Sequence, residues 1–395
     1  MRKRSNVNQN RLKGFKIKLY PTEDQKNDID RIFQLSRAVY NIGLDMQNKS
    51  YESGNGYIQF YNMVTIFSDL RNHSEMKWLQ DISINIIRET LNNLDNAFSR
   101  FFSKQNRHPK FKSRKRSKRS FSTRSDRTHI YENYVSISGL KNRMVLVKSH
   151  NIPINARLWN PTVSFDGLNY WFSACYETES KYKNNIPNQD HPIGIDVGVV
   201  NMIVTSDNDV YKYSDWSKYE KRKRRLDKRL SKDYNKYFQE SLDTKTKYED
   251  IQKSKNHYKR LQKRYKTIFK ISNKRMNDIH TATKRIVDSN PTAIVIENIS
   301  VRKQMKDKYM RKYSPYMCFY EIHRQLKYKA ADRNIPVIIA EKDYPSSQIC
   351  SNCGCKGYIK HRVFKCSHCG YKEDRDLNAS YNLRNLYYSF QSNDA

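Results

Sequence analysis

The segment HPIGIDVGVVNMIVTSD, residues 191–207, is the most informative about the fold of the second half of the chain. Its apolar residues form two short runs of strand character, and Gly198 between them predicts a tight connection. Asp196 interrupts the first of these runs. A carboxylate inside a buried strand is costly unless it is paired or coordinates a metal ion. Asp196 is therefore the first candidate functional residue.

Two further carboxylates follow in a comparable setting. Glu297 lies near the end of TAIVIENI, residues 292–299, a continuous apolar run that predicts a buried strand. Asp376 lies in DRDLNAS, residues 374–380, where the last predicted helix begins. Any one of the three carboxylates could be a helix cap or half of an ion pair. Their shared order, strand, strand and helix, is that of ribonuclease H-like nucleases.

That order predicts a catalytic site for phosphodiester hydrolysis. The reaction needs carboxylates that converge on two hard cations, which orient and activate water and stabilise the leaving oxygen. We therefore predict that two Mg²⁺ ions, or Mn²⁺ in their place, are held by Asp196, Glu297 and Asp376.

Helical periodicity distinguishes Asp376 from its neighbour Asp374. At about 100° per residue, Asp376 shares a face with the small Ala379 and Ser380 and with the apolar Leu383, as expected of a helix that packs on a sheet. Asp374 is expected to precede the helix, where a carboxylate accepts hydrogen bonds from unpaired backbone N–H groups. The pattern favours Asp376 as the catalytic residue.

Five of the seven cysteines lie between residues 350 and 369. Four of them form two Cys-x2-Cys pairs with the spacing of a zinc ribbon: Cys350, Cys353, Cys366 and Cys369. Four thiolates complete the closed tetrahedral shell of one structural Zn²⁺ ion, which leaves no open position for catalysis. Cys355 and His368 fall outside the pattern and are predicted to be bystanders.

The chain carries 75 Lys and Arg against 40 Asp and Glu, a formal net charge of +35. Such an excess favours a polyanionic partner. Residues 104–124 hold ten Lys or Arg and no acid, which predicts a segment that tracks phosphates; a solvated linker is the alternative. The candidate contacts in it are Lys110, Lys112, Arg114, Lys115 and Arg116.

Other features limit the environment of the chain. No stretch approaches the roughly 18 apolar residues of a membrane span, so no membrane partner is expected. The basic first residues lack the apolar core of a secretory signal, and clustered cysteines suit a reducing compartment. These features predict a cytoplasmic protein, associated with the nucleoid in a prokaryote.

The pattern of the remaining elements is mixed α and β. Thr22 and Gln25 form a predicted capping box at the start of a helix, and residues 82–102 carry one apolar stripe. Residues 129–177 alternate like strands, and PVIIAEK, residues 336–342, predicts another buried strand. Residues 218–270, with twenty Lys or Arg against seven acids, predict a solvated or nucleic-acid-facing helical hairpin.

With these residues in place, the sequence resembles the TnpB family of transposon-encoded nucleases, relatives of the type V CRISPR effectors, along nearly its whole length. The segments that carry the resemblance are FKIKLYPTEDQ (15–25), VYN (39–41), HPKFKSRKR (108–116), GIDVGVVN (194–201), IVIENIS (294–300), LKYKAADRNIPV (326–337), YPSSQICSNCG (344–354) and FKCSHCGYKEDRDLNASYNLRN (364–385). The C-terminal block is the most specific, because its zinc ribbon directly precedes Asp376.

The resemblance implies a multidomain α+β fold. Its expected parts are a wedge-like β-barrel domain (1–20 and 112–190), a helical recognition domain (21–111), a ribonuclease H-like (RuvC) α/β nuclease domain (191–344 and 371–395) and an inserted zinc ribbon that binds target nucleic acid (345–370). The family's third catalytic position also matches Asp376, two residues before the pair Asn378-Ala379.

The resemblance further implies an RNA-guided endonuclease that cleaves double-stranded DNA beside a short adjacent motif. Its guide RNA derives from the transposon end, and one protein chain is expected per guide RNA. In such systems the protein recognises the motif while base pairing recognises the target. Two alternatives stay open: a nuclease-inactive RNA-guided repressor, and an RuvC-like transposase or resolvase that works without RNA.

Overall fold

The chain divides into two units, Met1–Thr178 and Glu179–Ala395. The computed structural model describes residues 12–113, 118–146, 152, 156–178, 185–246, 248, 251–298 and 318–393. Three of the predicted phosphate contacts, Arg114, Lys115 and Arg116, lie outside the described residues.

The first unit combines helices with two antiparallel sheets. Its elements are β1 (Leu12–Leu19), α1 (Glu23–Glu52), α2 (Phe60–Leu70), a 3₁₀ helix (Ser74–Asp81), α3 (Ile84–Phe102), β2 (Arg119–Ser122), β3 (His129–Ile130), β4 (Tyr134–Ser136), β5 (Met144–Val145), β6 (Leu158–Phe165) and β7 (Tyr170–Glu177). One sheet has the order β1-β7-β6-β2 and the other β3-β4-β5. A bridge between Leu19 and Leu146 connects β1 to the end of β5.

Local signals and packing agree in this unit. The predicted capping box is confirmed, because the Gln25 N–H donates to Thr22 Oγ1 over 3.3 Å and the Thr22 N–H donates to Gln25 Oε1 over 3.0 Å. The apolar faces of α1 and α3 share one core with the sheets, in which Phe33 of α1 contacts Phe121 of β2 at 5.7 Å between ring centroids.

The second unit is built on one mixed sheet. Its elements are β8 (Ile193–Asp196), β9 (Ile203–Thr205), β10 (Val210–Tyr211), α4 (Ser217–Asp243), α5 (Lys255–Asp288), β11 (Ile294–Asn298), α6 (Phe319–Asp332), β12 (Val337–Lys342), β13 (Gly357–Lys360), β14 (Val363–Cys366), β15 (Lys372–Asp374) and α7 (Arg375–Asn393). The main sheet has the order β10-β9-β8-β11-β12. The predicted two strands around Gly198 are confirmed as β8 and β9, which pair antiparallel, whereas β8, β11 and β12 run parallel.

The prediction of a buried strand at 336–342 was wrong in one respect. The strand β12 exists, but it lies at the edge of the sheet, and Ile339 is 41% exposed whereas Ala340 is buried. An apolar run cannot tell a doubly covered strand from an edge strand, because the number of neighbours is decided by the topology.

The predicted charged hairpin consists of α4 and α5. Asp227 of α4 pairs with Arg264 of α5, and Asp233 pairs with Arg260 over 2.6 Å, so acids inside the hairpin hold its two helices together. The C-terminal part of α5 packs on the sheet through buried apolar residues such as Ile279. No helix among the described residues has the length and hydrophobicity to cross a bilayer.

A glycine sets the distance between the last helix and the sheet. A Cβ atom at Gly194 of β8 would lie 2.0 Å from the Ser380 carbonyl oxygen and 2.4 Å from the Arg384 backbone nitrogen. Side chains cannot occupy such space, so only glycine lets the backbone of α7 lie directly on β8. This contact places the N-terminus of α7 near the end of β8.

Candidate active site and zinc centre

The three predicted carboxylates come together at one end of the sheet. Asp196 is the last residue of β8, and its neighbour Ile195 pairs in parallel register with Ile296 of β11. Glu297 follows Ile296, so Asp196 and Glu297 lie side by side on one face. Asp376 reaches the same place from the first turn of α7 and is buried, as is Asp196.

Electrostatics links these groups. Burial, followed by the charges of Asp376 and Glu297, raises the pKa of Asp196 well above its usual value. Burial also raises the pKa of Glu297, and the nearby Arg375 opposes that shift. Three carboxylates this close need cations nearby if all are to be ionised.

The oxygen atoms of the three carboxylates are not all within 4.8 Å of one another. Among the described residues, the groups of three or more potential ligand atoms within 4.8 Å of one another all contain cysteine. Asp376 is instead held by other partners: Arg362 donates to its Oδ2, and the Asn201 amide donates to the same oxygen over 3.2 Å.

Arg362 and Asn201 are residues that sequence reasoning missed. Arg362 lies in the turn between β13 and β14 with a φ of 69°, and its carbonyl accepts from the Arg375 N–H over 2.8 Å. A single arginine among 75 basic residues gives no sequence signal. Asn201 ends the segment GIDVGVVN and could have been noticed as a polar residue directly after an apolar run.

Two structural predictions about the start of α7 are confirmed: Asp374 accepts hydrogen bonds from the N-terminus of the helix, and the helix face that carries Asp376 is buried. The Asp374 carboxylate precedes the helix and accepts from the backbone N–H groups of Asp376, over 2.9 Å, and Leu377, over 3.3 Å. Ala379, Ser380 and Leu383 are all buried. The catalytic role of Asp376 stays a prediction.

The four predicted zinc ligands converge. Their sulfur atoms all lie within 4.8 Å of one another, with 3.7 Å between the sulfurs of Cys350 and Cys369 and 3.5 Å between those of Cys353 and Cys366. A tetrahedron with Zn–S bonds of about 2.3 Å has edges of about 3.8 Å, so this cluster could bind zinc.

Backbone hydrogen bonds favour the thiolate form of Cys366, in the second cysteine pair. The N–H groups of Cys369 and His368 donate to Cys366 Sγ, each over 3.4 Å, and lower the pKa of that thiol. Cys355 and His368, predicted as bystanders, form a second group of potential ligands with Cys353. Only one of the two groups can use Cys353, and the four-sulfur group has the complete shell.

Helix α7 is bonded to the segment that carries the first cysteine pair. Asn378 accepts from the Ser351 N–H over 3.0 Å and donates to the Ile349 carbonyl over 2.8 Å. Asn382, one turn further, donates to the carbonyls of Ser346 and Ile349. Because these buried amides hold both elements, the position of Asp376 depends on the folded ribbon.

The two candidate phosphate contacts that the structure describes, Lys110 and Lys112, differ in their exposure. Lys110 is exposed. Lys112 is half-buried, with its ammonium nitrogen 3.6 Å from the ring centroid of Tyr40, and burial lowers its pKa to about 8. Nothing in the structure tests a nucleic-acid contact at either residue, so both stay predictions.

Comparison with known proteins agrees with the resemblance. Residues 319–383 match the model of a Cas12f1-like TNB domain, and residues 10–56 match a helix-turn-helix domain of IS605 OrfB proteins. A Streptomyces pristinaespiralis protein with the provisional name RNA-guided DNA endonuclease is 27% identical over 94% of this chain and 88% of its own length. The Escherichia coli K12 protein InsQ, also provisionally named an RNA-guided DNA endonuclease, is 26% identical over 94% of this chain and 92% of its own. These similarities agree with the resemblance to the TnpB family.

Among solved structures, this chain resembles Cas12f1 in its complex with guide RNA and target DNA. The TM-score is 0.53 at 15% identity, over 93% of this chain and 84% of that one, which supports a shared multidomain α+β fold. The described residues of the helix-turn-helix match form the strand β1 and the single helix α1, however, and not two helices joined by a turn.

Proposed function

We propose that this chain is an RNA-guided DNA endonuclease that hydrolyses phosphodiester bonds at Asp196, Glu297 and Asp376. The observation that carries the proposal is the convergence of these carboxylates from β8, β11 and α7, three elements that are distant in sequence. Two named endonucleases with similarity over almost the whole chain support it.

The sheet order of the second unit supports an RuvC-like assignment. In chain order its strands are arranged 3-2-1-4-5, with the second strand antiparallel to the first and the last two parallel to it, as in ribonuclease H-like domains. We assign residues 191–344 and 371–395 to this nuclease domain and 345–370 to the ribbon. Residues 1–20 and 112–190 would form the wedge, and 21–111 the recognition domain.

The donor set fits two catalytic Mg²⁺ or Mn²⁺ ions, because it consists of carboxylate oxygens and includes a buried aspartate whose ionisation its neighbours oppose. When bound, such ions orient and activate water and stabilise the leaving oxygen. Asp196 and Glu297 are fixed by the sheet, and Asp376 is held by Arg362 and Asn201. The four sulfur atoms would hold one structural Zn²⁺ ion.

The net charge and the resemblance to the TnpB family support two nucleic-acid partners. A net charge of +35 suits a chain that binds two polyanions at once: a guide RNA from the transposon end, and double-stranded DNA beside an adjacent motif. One chain per guide RNA is part of the proposal.

A plasmid-cleavage assay tests the proposed function. The chain is expressed with the 3′ flank of its gene, the copurified RNA is sequenced, and a library with random bases beside the matching target is incubated with Mg²⁺. Asp196→Ala should abolish cleavage and keep RNA binding. The matched control is Asp207→Ala, which removes an exposed aspartate eleven residues away and should still cleave.

The other outcomes separate the alternatives. RNA-dependent DNA binding without cleavage by the wild type would indicate a repressor. Strand transfer without copurified RNA would indicate a transposase. Near-normal cleavage by Asp196→Ala would reject the carboxylate assignment itself.

A further inference from the structure

A basic cleft in the first unit lies between α1, α3 and β2. Its volume is about 290 Å³, and four cations line it: Arg37, Lys112, Lys118 and Arg119. Phe33 and Phe121 form its apolar floor. No described aspartate or glutamate lines the cleft. A concave surface with several cations and no acid is suited to an anion.

Ser36 gives the cleft an unused hydrogen-bond donor. It belongs to α1, lines the cleft and is only 5% exposed. Its hydroxyl oxygen is buried, and no described residue pairs with it. A buried hydroxyl without a partner destabilises a fold unless something else satisfies it. Thr90, across the cleft on α3, is satisfied by contrast, because its hydroxyl donates to the Ile86 carbonyl over 2.8 Å.

Lys112 is held in the cleft through its backbone. The Asn41 amide donates to the Lys112 carbonyl over 3.0 Å, and the Lys112 N–H donates to Asn41 Oδ1 over 2.8 Å. Its ammonium group packs over the Tyr40 ring. No carboxylate among the described residues forms an ion pair with it, whereas Arg119, which also lines the cleft, is paired with Asp30 over 2.7 Å. Lys112 is thus a placed cation without a counter-charge.

We propose that this cleft binds one backbone phosphate of a nucleic acid, with Lys112 and Ser36 as its principal donors. The proposal rests on the proposed function and refines it, because it distinguishes a shaped phosphate site from general attraction to the basic segment. An ammonium and a hydroxyl that converge from two elements can make charge-assisted hydrogen bonds to the same phosphate. The small volume suits one phosphate with its sugar.

Two single variants and a matched control test the site. Ser36→Ala removes the unpaired hydroxyl, and Lys112→Gln removes the placed charge. Lys110→Gln removes an equal charge two residues away, from an exposed side chain that does not line the cleft. The purified full chain is titrated with a labelled single-stranded RNA and, separately, with a labelled DNA duplex. Circular dichroism checks that each variant is folded.

The expected result is a selective loss of affinity. Ser36→Ala should weaken binding by about tenfold, as for a missing hydrogen bond to a charged group, although it changes no charge. Lys112→Gln should weaken binding at least as much and more than Lys110→Gln does. The probe that is affected, RNA or DNA, identifies the strand that supplies the phosphate.

A pH series adds an independent readout. Because a bound phosphate favours the ammonium form of Lys112, affinity should be highest below pH 8 and fall as the pH rises through about 8. Among the described residues, the other charged or titratable groups at the cleft are Arg37, Lys118 and Arg119, which line it, and Tyr40, whose ring contacts the Lys112 ammonium group. The Lys110→Gln variant should keep the fall in affinity, and Lys112→Arg should remove it, because arginine stays charged.

Several results would overturn the site. Equal effects of Lys110→Gln and Lys112→Gln, with an unaffected Ser36→Ala, would return the segment to non-specific attraction while leaving the endonuclease proposal intact. A wild type that binds neither probe would overturn both.

Discussion

Asp374 and Asp376 are chemically identical side chains, two residues apart, that have different environments and hydrogen-bond partners. Asp374 accepts from two backbone N–H groups at the start of α7. Asp376 is turned inward by the helix, buried, and bonded to Arg362 and Asn201. The difference arises because Asp374 ends β15 and precedes α7, whereas Asp376 lies in the first turn of the helix, on its buried face.

We therefore predict opposite outcomes for the two alanine variants. Asp376→Ala should abolish cleavage of a guide-matched plasmid. Asp374→Ala should keep most activity and lower the free energy of unfolding by about 1 kcal/mol, the usual value of an N-cap. Both variants are assayed side by side for cleavage and by thermal melting. An inactive Asp374→Ala beside an active Asp376→Ala would show that the face argument is wrong.

Gly194 is a second residue whose identity is dictated by its neighbours. The Cβ of Gly194→Ala would overlap the backbone of α7, so the helix must move away from β8. We expect the free energy of unfolding to fall by about 3 kcal/mol or more, with loss of cleavage as Asp376 is displaced.

The control for this variant is another strand glycine. A Cβ at Gly14 of β1 would meet only Cys175 Sγ, at 3.8 Å, an ordinary contact. Gly14→Ala should melt near the wild-type temperature. Similar melting temperatures for both variants would contradict the close packing of α7 on β8.

Among the elements of the second unit, the segment that carries the first cysteine pair and α7 are joined by hydrogen bonds into one structure. The amides of Asn378 and Asn382 hold α7 against the segment that carries Cys350 and Cys353. Metal binding in such a ribbon is largely folding free energy. Loss of the metal should therefore displace Asp376 and impair cleavage, although zinc itself would have no catalytic role.

Cys366→Ser should remove the metal and impair cleavage. Elemental analysis of the wild type should find one zinc per chain, which the variant loses. Cys355→Ser is the matched control: it should retain zinc, because the four-sulfur shell is complete without it. A wild type that contains no zinc would refute the ribbon assignment, and zinc loss in Cys355→Ser would point to the alternative group with Cys353 and His368.

For the molecule as a whole, we expect the excess of positive charge to govern the affinity for nucleic acid more than the specificity. Contacts to phosphates release condensed counterions, so binding weakens with salt in proportion to their number. Inside the hairpin of α4 and α5, acids such as Asp233 neutralise part of this charge. The segment 104–124 contains no acid.

Neutralising the basic segment should flatten the salt dependence of binding. The variant replaces Lys110, Lys112, Arg114, Lys115 and Arg116 by glutamine. The slope of log K against log salt should fall by roughly one unit for each phosphate that the variant no longer binds, measured with RNA and DNA of fixed sequence. Discrimination between matched and mismatched targets should be preserved. An unchanged slope would indicate a solvated linker.

Features whose cause is local, or that repeat along the chain, could be predicted from the amino-acid sequence. The capping box of Thr22 and Gln25, the inward face of α7, the alternation at Asp196 and the two Cys-x2-Cys pairs each follow from spacing within a few residues. Backbone geometry determines which residues of one helix or strand share a face, whatever the rest of the chain does. Spacing was therefore enough to identify all three carboxylates as candidates.

Contacts between residues that are distant along the chain could not be predicted from the sequence and depend on the folded structure. It placed β12 at the edge of the sheet, Arg362 on Asp376, and Lys112 over Tyr40 beside an unpaired Ser36. None of these contacts could be recognised from a short stretch of sequence, because each joins residues that are far apart along the chain. Burial, hydrogen-bond partners and pKa depend on those neighbours, which the topology and packing within each unit bring together.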